Sequence, residues 1–221
     1  MLTKRLEYLI NALPECNVLA DVGCDHGYVG IEALKRGKAK QTVFIDISPA
    51  CLQKARSGCP AAFSDVAKFV CQDGLQQIDC DTAVICGMGG LEIMSILNNA
   101  KRLPEAIVLQ PMRNIADVRK YVAERYTITL DATVCDGKFY SVIVGQNVGT
   151  PTRKMSELET HFGITNVANP TDDYIGFLLL EQSKLKQIET KQKQFKRDGN
   201  LDELNFRKSI VEQALASALS K

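Results

Sequence analysis

Short apolar runs alternate with helix-like stretches along the first two thirds of the chain. Runs of about five residues rich in β-branched and aromatic side chains are typical of buried strands. Five such runs precede the middle of the chain, at residues 18–20, 41–45, 67–71, 82–86 and 106–109. Strands that alternate with helices predict an α/β fold with a mainly parallel sheet.

The segments around these runs carry apolar residues at helical spacing. Helices are predicted at the start of the chain and over residues 28–38, 50–57, 90–99 and 115–124. Two further strands are predicted at residues 126–135 and 139–145, and the Asp136-Gly137 pair between them predicts a hairpin turn. The sequence therefore predicts seven strands, of which the last two form an antiparallel hairpin.

The pattern changes after a turn-rich segment at residues 148–151. Apolar residues from Tyr174 to Phe195 recur at steps of three, four and seven, and the spacing resumes after residues 198–200. This predicts an antiparallel helical hairpin that resembles a short coiled coil. We therefore expect two domains, residues 1–150 and residues 151–221. The heptad pattern is too short to require a dimer, so a monomer is favoured and a dimer through the hairpin stays open.

The turn after the first strand carries the candidate cofactor chemistry. Gly23 and Gly27 let the backbone approach a ligand closely, and the helix that follows offers free N–H groups. A dinucleotide fingerprint would have glycine in place of Asp25, and the carboxylates of Asp21 and Asp25 would repel a pyrophosphate. S-adenosylmethionine carries a sulfonium and an ammonium but no phosphate, so this loop favours it over NAD.

Acidic and glycine-rich segments follow the next three strands. Asp46 lies 25 positions after Asp21, close to the spacing of a carboxylate that accepts ribose hydroxyls. Asp73 follows the third strand, where it would accept from the exocyclic amine of adenine. Because the carboxyl ends of parallel strands share one edge of the sheet, these segments predict one ligand site. The predicted cofactor-binding residues are Asp21, Gly23, Cys24, Gly27, Asp46, Ile47, Asp73, Gly74, Gly87, Met88 and Gly89.

Five motifs together resemble those of a known family. They lie at residues 21–28, 72–75, 86–90, 109–111 and 136–140, and they are similar to motifs of the bacterial tRNA (adenine-22 N1)-methyltransferases, the TrmK family. The resemblance extends over essentially the whole chain. It implies a Rossmann-like class I methyltransferase domain, S-adenosylmethionine as the methyl donor and N1 of adenine-22 in the D-arm of tRNA as the acceptor.

The chain departs from the family pattern at three positions. Met112 stands where the family often has asparagine, directly after the Gln-Pro pair. Cys24 and Gly27 stand where serine and alanine are frequent. We interpret the two loop differences as tolerated variations, whereas the difference at Met112 leaves the role of that position open.

Three residues of the glycine loop are the candidate catalytic residues. Methyl transfer requires donor and acceptor to be held in near-attack geometry, and attack by adenine N1 builds positive charge on the ring. Asp25 would stabilise this charge or remove a proton from the N6 amine; alternatively, it binds the cofactor ammonium or a backbone cap. His26 would hydrogen-bond the base or a phosphate, and Tyr28 would stack on the base or pack under the loop.

The predicted substrate contacts lie in two places. Residues 87–90 occupy the position where many N-methyltransferases carry an Asn/Asp-Pro-Pro-aromatic motif, and its absence disfavours methylation of an exocyclic amine. Gly90, Gln110 and Pro111 are expected to line the acceptor mouth. A basic run in the C-terminal helices is expected to grip phosphates, unless it is only a solvated helix face. The residues chosen from this run are Lys191, Lys193, Lys196 and Arg197.

Composition narrows the function classes further. The net charge of +1 over 221 residues gives no overall attraction to nucleic acid, so local basic runs matter more. Eight cysteines without C-x-x-C spacing and two histidines predict buried reduced thiols in a cytoplasmic protein without a metal site. No apolar stretch reaches about 18 residues, so no membrane segment is expected.

Three alternatives stay open at this point. The nearest is an S-adenosylmethionine-dependent methyltransferase that acts on another RNA, a protein or a small molecule. More remote are an NAD-dependent Rossmann enzyme and a non-catalytic RNA-binding protein. The aspartates of the glycine loop disfavour the NAD-dependent enzyme. The acidic residues retained at the strand ends disfavour the non-catalytic protein.

Overall fold

The structure, a computed structural model, describes residues 2–149, 153–195 and 200–221. The chain divides into two compact units, with the boundary between Lys154 and Met155. Among the described residues, every helix is too short or too polar to cross a lipid bilayer.

The first unit is built on a seven-stranded sheet with the order β3-β2-β1-β4-β5-β7-β6. Its elements are, in chain order, α1 (Lys4–Ala12), β1 (Cys16–Val22), α2 (Tyr28–Lys35), β2 (Ala39–Asp46), α3 (Pro49–Gly58), β3 (Ala67–Cys71), β4 (Thr82–Gly89), α4 (Gly90–Asn98), β5 (Ala106–Arg113), α5 (Ile115–Arg125), β6 (Thr127–Asp136) and β7 (Lys138–Gln146). Strands β1 to β5 pair in parallel, and β7 is antiparallel to both of its neighbours. The predicted sheet is therefore confirmed, with β7 as the reversed strand.

The core of this unit forms where α1 and α2 cover the sheet. Leu9 and Ile10 of α1 are fully buried, and they join Leu19, Val84 and Val108 of three adjacent strands in one apolar cluster. Parallel strands are shielded on both faces, which explains why their sequences are nearly continuous apolar runs.

Several element ends differ from the predicted ones. Helix α2 ends at Lys35 instead of residue 38, because Gly37 adopts a φ of +67° that no helix continues through. Strands β4 and β5 continue to Gly89 and Arg113, beyond the predicted ends at residues 86 and 109, and their register shifts at Met88. The glycine-rich segment therefore belongs to the outer end of β4, where a bulge redirects the chain.

The second unit is helical, as predicted. It contains α6 (Glu157–Phe162), α7 (Ile164–Ala168), α8 (Asp172–Phe195) and α9 (Leu201–Leu219). Helices α8 and α9 pack against each other around Leu178, Leu185 and Leu215. The two short helices were missed because five or six residues are too few for a helical period to show. Asp198 and Gly199 of the predicted turn lie outside the described residues.

Candidate functional site

The turn between β1 and α2 is tight and closely packed. Gly23 and Gly27 both have φ of +68°, and Asp25 between them has φ of +44°. The Gly23 N–H donates to the carbonyl of Ile45 at 2.8 Å, which ties the turn to β2. A Cβ on Gly27 would lie 3.0 Å from the ring of Phe44. The backbone therefore needs glycine at both positions, for its conformation and, at Gly27, for space.

Asp21 lies behind this turn and faces the interior. Its side chain is buried, and its Oδ2 accepts a 2.9 Å hydrogen bond from the Gly30 N–H in the first turn of α2. The pKa of Asp21 is raised to about 7, chiefly by burial and also by the nearby Asp46 carboxylate, while the hydrogen bond from Gly30 acts in the opposite direction. Asp21 thus anchors the start of α2 instead of lining the cleft described next.

A cleft of about 300 Å³ lies at the carboxyl edge of the sheet, where the ends of β1 to β4 meet. It brings together seven of the predicted cofactor-binding residues: Gly23, Asp46, Ile47, Asp73, Gly74, Gly87 and Met88. The other four predicted residues, Asp21, Cys24, Gly27 and Gly89, are not among its lining residues. Cys24 is buried, which raises the pKa of its thiol.

Asp46 is oriented at the end of β2 by two backbone donors. Its Oδ1 accepts from the Ser48 N–H at 2.9 Å, and its Oδ2 accepts from the Asp25 N–H at 3.2 Å. Ser48 is in turn the N-cap of α3. A carboxylate has about four acceptor positions, so Asp46 retains capacity for two hydroxyl groups of a ligand.

Six further residues line the cleft that the sequence reasoning did not select: Val22, Ile45, Gln72, Cys86, Glu92 and Ile96. Gln72 is held beside the cleft by a 2.8 Å bond from its Nε2 to the Gly74 carbonyl. Its position in the segment before Asp73 was the signal that could have identified it. Ile96 lies two turns into α4, and only the packing of that helix brings it to the cleft.

The glycines after Cys86 leave open space at the cleft. Gly87 has a φ of +78°, which explains glycine there without any ligand. At Gly89 the backbone has an ordinary extended conformation, with φ of −67° and ψ of 146°, and an added Cβ would meet no atom within 4 Å. Within the part of the chain that the structure describes, nothing therefore requires glycine at Gly89. An added Cβ at Gly87, which lines the cleft, would likewise meet no atom within 4 Å, so the cleft has free space beside this glycine.

The three candidate catalytic residues lie on the other side of the loop. The Asp25 Oδ1 accepts from the Lys54 ammonium at 3.0 Å, and this bond lowers the pKa of Asp25, so the carboxylate is ionised at neutral pH. The His26 and Tyr28 rings stack with centroids 5.1 Å apart and planes 4° apart, and more than half of Tyr28 is exposed. The three candidate catalytic residues thus lie close to one another, but none of them is among the residues that line the cleft.

His26 and Tyr28 instead border a larger groove of about 790 Å³ along α2. Its charged residues are largely paired with each other: Arg36 contacts Glu7 at 2.7 Å and Glu32 at 2.9 Å. The larger cavity is therefore a surface groove of paired charges, and the smaller cleft is the better candidate for a cofactor.

The structure does not place the predicted acceptor-mouth residues at an open surface. Gln110 is fully buried and Pro111 is buried as well. A Cβ on Gly90 would lie 2.6 Å from the Arg113 carbonyl, so this glycine serves the contact between α4 and the end of β5. Gln110 instead accepts a hydrogen bond from Arg5 Nη1 at 2.8 Å. The prediction that these residues lie at the carboxyl edge is confirmed, but the prediction that they line an open mouth there is not.

The predicted phosphate contacts lie at and beyond the end of α8. Lys191 is exposed, and Lys193 is part of the same helix. Lys196 and Arg197 lie outside the described residues. Earlier in the run, Lys184 pairs with Glu181 at 2.8 Å, so part of its positive charge is neutralised within the helix.

None of the eight cysteines forms a disulfide. The prediction that they are buried is wrong for most of them. Cys24 and Cys80 are buried, Cys71 is exposed and the others are half-buried. Strands β1, β3 and β4 end at a solvent-facing edge, which exposes thiols such as Cys71 there. Among the described residues, no group of three or more histidine, cysteine or acidic side chains is placed to hold a metal ion.

The chain is similar in sequence to known methyltransferases. Residues 2–143 match the family model described as "Methyltransferase domain". A Mycoplasma pneumoniae protein named "Putative tRNA methyltransferase" is 33% identical over 159 residues, covering 69% of this chain and 73% of that protein. The Bacillus subtilis tRNA (adenine(22)-N(1))-methyltransferase is 31% identical over 155 residues, covering 66% of this chain and 65% of that protein.

A solved structure extends the likeness to the whole chain. The structure of M. capricolum TrmK, in complex with S-adenosyl-homocysteine, superposes with a TM-score of 0.85 at 23% identity and covers 99% of both chains. At this identity the likeness shows the fold. Together with the methyltransferase-domain match over residues 2–143, this confirms the expected Rossmann-like class I methyltransferase domain followed by a helical unit.

Proposed function

The chain belongs to the methyltransferase-domain family, and on this premise we propose that it transfers a methyl group from S-adenosylmethionine to N1 of an adenosine in tRNA. The likeness to the B. subtilis enzyme named for adenine-22 carries the choice of nucleotide. Family membership also argues against an NAD-dependent enzyme and against a non-catalytic RNA-binding protein.

The cleft supports S-adenosylmethionine as the donor. In this proposal Asp46 accepts the ribose hydroxyls and Asp73 accepts from the adenine amine, both from the carboxyl edge of the sheet. The open space at Gly87 gives the ligand room. When bound, S-adenosylmethionine supplies an electrophilic methyl group, so the protein needs to orient the acceptor and exclude water.

Asp25 is our candidate for stabilising the positive charge that develops on adenine. Its carboxylate is ionised and accepts a hydrogen bond from Lys54. Its backbone N–H donates to Asp46 Oδ2, and this bond fixes the position of Asp25 relative to the cofactor cleft. The exposed Tyr28 ring, stacked on His26, offers a surface for a base that has been turned out of the RNA fold. These roles require no metal ion.

The C-terminal helices are our candidate for a second tRNA contact. Lys191, Lys193, Lys196 and Arg197 follow each other closely at the end of α8 and just beyond it, and several phosphates could be contacted together. We propose that the enzyme works as a monomer in the cytoplasm, where its tRNA substrate is found.

The decisive experiment combines methyl transfer with mapping of the product. The protein is incubated with labelled S-adenosylmethionine and an unmodified tRNA transcript, and the transcript is digested to nucleosides. We expect 1-methyladenosine from the wild-type transcript and none when adenine-22 is replaced by guanine. Label in another nucleoside, or equal label in both transcripts, would contradict the proposed acceptor.

The tail contact has its own test. Changing Lys191, Lys193, Lys196 and Arg197 to Ser should lower tRNA affinity and flatten its salt dependence by about one unit of log–log slope per lost phosphate contact. Donor affinity should stay the same. Lys184→Ser is the matched control, because Lys184 is already paired with Glu181. An unchanged salt slope of tRNA binding in the fourfold variant would show that the basic run is only a solvated helix face.

A further inference from the structure

Arg5 is held at the carboxyl edge of the sheet by three elements that are distant in the sequence. Its Nη1 donates to Gln110 Oε1 at the end of β5, at 2.8 Å. Its guanidinium lies over the Tyr140 ring of β7, 5.1 Å from the ring centroid. Its backbone N–H donates to Asp136 Oδ2 at 3.0 Å. The antiparallel pairing of β5 with β7 places Tyr140, near the start of β7, beside the carboxyl end of β5, and Asp136 is the last residue of β6.

Gln110 orients the Arg5 side chain. Gln110 is fully buried, and its Nε2 donates to the Met112 sulfur at 3.1 Å while its Oε1 accepts from Arg5. A buried amide oxygen without a partner would be costly, so Gln110 and Arg5 stabilise each other's position. Stacking on Tyr140 restrains the plane of the guanidinium as well.

Arg5 lies beside the cofactor cleft. Gln110 is the register partner of Cys86 in the adjacent parallel strand, so their side chains point to the same face of the sheet. Cys86 lines the cleft. Because Gln110 Oε1 accepts from Arg5 Nη1 at 2.8 Å, the guanidinium lies one strand away from this part of the cleft wall.

The surroundings of Arg5 carry more positive than negative charge. Lys4 precedes it and Lys138 is the first residue of β7, and both are exposed. The nearby carboxylate is Asp136, whose pKa is lowered by the Arg5 backbone N–H, by the Thr3 hydroxyl and by the charges of Arg5 and Lys4. A guanidinium has five N–H donors in one plane, a geometry that matches two oxygens of a phosphate.

We propose that Arg5 binds the RNA phosphate next to the target adenosine, and that Gln110 is a positioning residue that acts through Arg5. This inference rests on the proposed function and adds a contact within the catalytic unit. A bound phosphate beside the cleft would fix the nucleotide whose base enters it. Lys4 and Lys138 supply additional positive charge around the same phosphate.

Arg5→Gln is the principal test. We expect KM for tRNA to rise by about tenfold to 150-fold, the loss of one charged hydrogen-bonded contact. The log–log salt slope of tRNA binding should fall by about one unit, and the dissociation constant for S-adenosylmethionine should change less than about twofold. Arg102→Gln is the matched control. Arg102 lies just before β5, at the amino edge of the sheet and away from the cleft, and it pairs there with Asp79. It should leave all three quantities unchanged.

Two milder variants keep the test decisive if Arg5→Gln does not fold. Arg5→Lys keeps the charge but not the planar fork, so the salt slope should stay and KM should rise less. Gln110→Met removes the acceptor for Arg5, so KM for tRNA should rise while kcat changes little. Unchanged KM in these variants, or an unchanged slope in folded Arg5→Gln, would overturn the inference.

The proposed function and this inference fail in different ways. If the wild-type protein methylates tRNA and the Arg5 variants behave like the Arg102 control, only the Arg5 inference is wrong. If the wild-type protein binds tRNA but methylates no adenosine, the proposed function is wrong, and the salt slope of Arg5→Gln still decides the phosphate contact. A wild-type protein that binds no tRNA overturns both.

Discussion

The loop of residues 21–28 contributes to two cavities that differ in size and in chemistry. On one side lies the cleft of about 300 Å³, with Gly23, Asp46 and Gly87 near the outer end of β4. On the other side lies the groove of about 790 Å³, bordered by His26, Tyr28 and charged residues of α1, α2 and α3. In the cleft, backbone and carboxylate groups face free space. In the groove, the side chains of Arg36 and its two glutamate partners satisfy each other.

This difference shows that the larger cavity is not the better cofactor site. A ligand gains most where polar groups are oriented before it binds and still have hydrogen-bonding capacity. Asp46, oriented by two backbone N–H groups, meets this condition. The paired charges of the groove would have to be separated first. We therefore expect changes in the cleft to act on the donor and changes in the groove to act weakly.

The largest expected effect concerns Asp21, which lies behind the loop between the two cavities. Its pKa is raised from 3.8 to about 7, so the folded state holds a proton that the unfolded state releases. The free energy of unfolding should therefore fall as pH rises from about 4 to about 7, and then level off. At about 1.36 kcal/mol per pKa unit, the total loss is at most about 4 kcal/mol. Asp21→Asn should remove this slope while keeping an acceptor for Gly30.

Urea unfolding between pH 4 and pH 8 measures this effect. The wild-type and Asp21→Asn curves should converge at low pH and separate as pH approaches 7, with the variant more stable. Asp65→Asn, at an exposed position, is the control. Parallel curves for Asp21→Asn and the wild type would show that Asp21 is ionised in the folded protein.

The next effect concerns the cleft itself. Asp46→Ala should weaken S-adenosylmethionine binding by about 1.5–3 kcal/mol, the scale of hydrogen bonds to a charged group. Isothermal titration calorimetry provides the measurement. Asp79→Ala, which removes an exposed carboxylate before β4, should leave donor affinity unchanged. Equal affinity of Asp46→Ala and the wild type would remove Asp46 from the donor site.

Asp25 links the two cavities, and its replacement should act on turnover. Asparagine also tolerates the φ of +44° at this position, so Asp25→Asn should keep the loop folded. We expect turnover to fall at least about tenfold, or about 1.4 kcal/mol, with a much smaller change in tRNA affinity. Single-turnover methylation with saturating tRNA tests this. Full activity would assign Asp25 to loop structure, with Lys54 as its partner.

The smallest effect is expected in the groove. Arg36→Gln breaks the ion pairs with Glu7 and Glu32, which are partly exposed and screened by solvent, so the loss of stability should be small. Donor affinity should not change. Thermal unfolding with and without S-adenosylmethionine measures both quantities. A clear loss of donor affinity in Arg36→Gln would show that the groove, contrary to our assignment, takes part in donor binding.

Much of the fold could be predicted because its signals are local. Apolar runs and the breaks between them placed all seven strands, and β3 has the predicted bounds of Ala67–Cys71. The bounds of β4 and β5 were wrong at their outer ends, since a bulge pairs Met88 with Pro111 and this depends on two strands at once. Parallel topology then explains why residues 23, 46, 73 and 87 meet at one edge.

The sequence by itself determined which residues reach the carboxyl edge, and the tertiary structure decided which of their side chains face a ligand. Strand ends and glycine turns are encoded locally, so Asp46 and Gly87 were found from their positions. Side-chain direction depends on packing: Asp21 turns inward to the Gly30 N–H, and Gln110 is buried against Arg5, a residue 105 positions away. Burial and partners at such distances in the chain arise only when the sheet and α1 have assembled, and they decide hydrogen-bonding capacity and pKa.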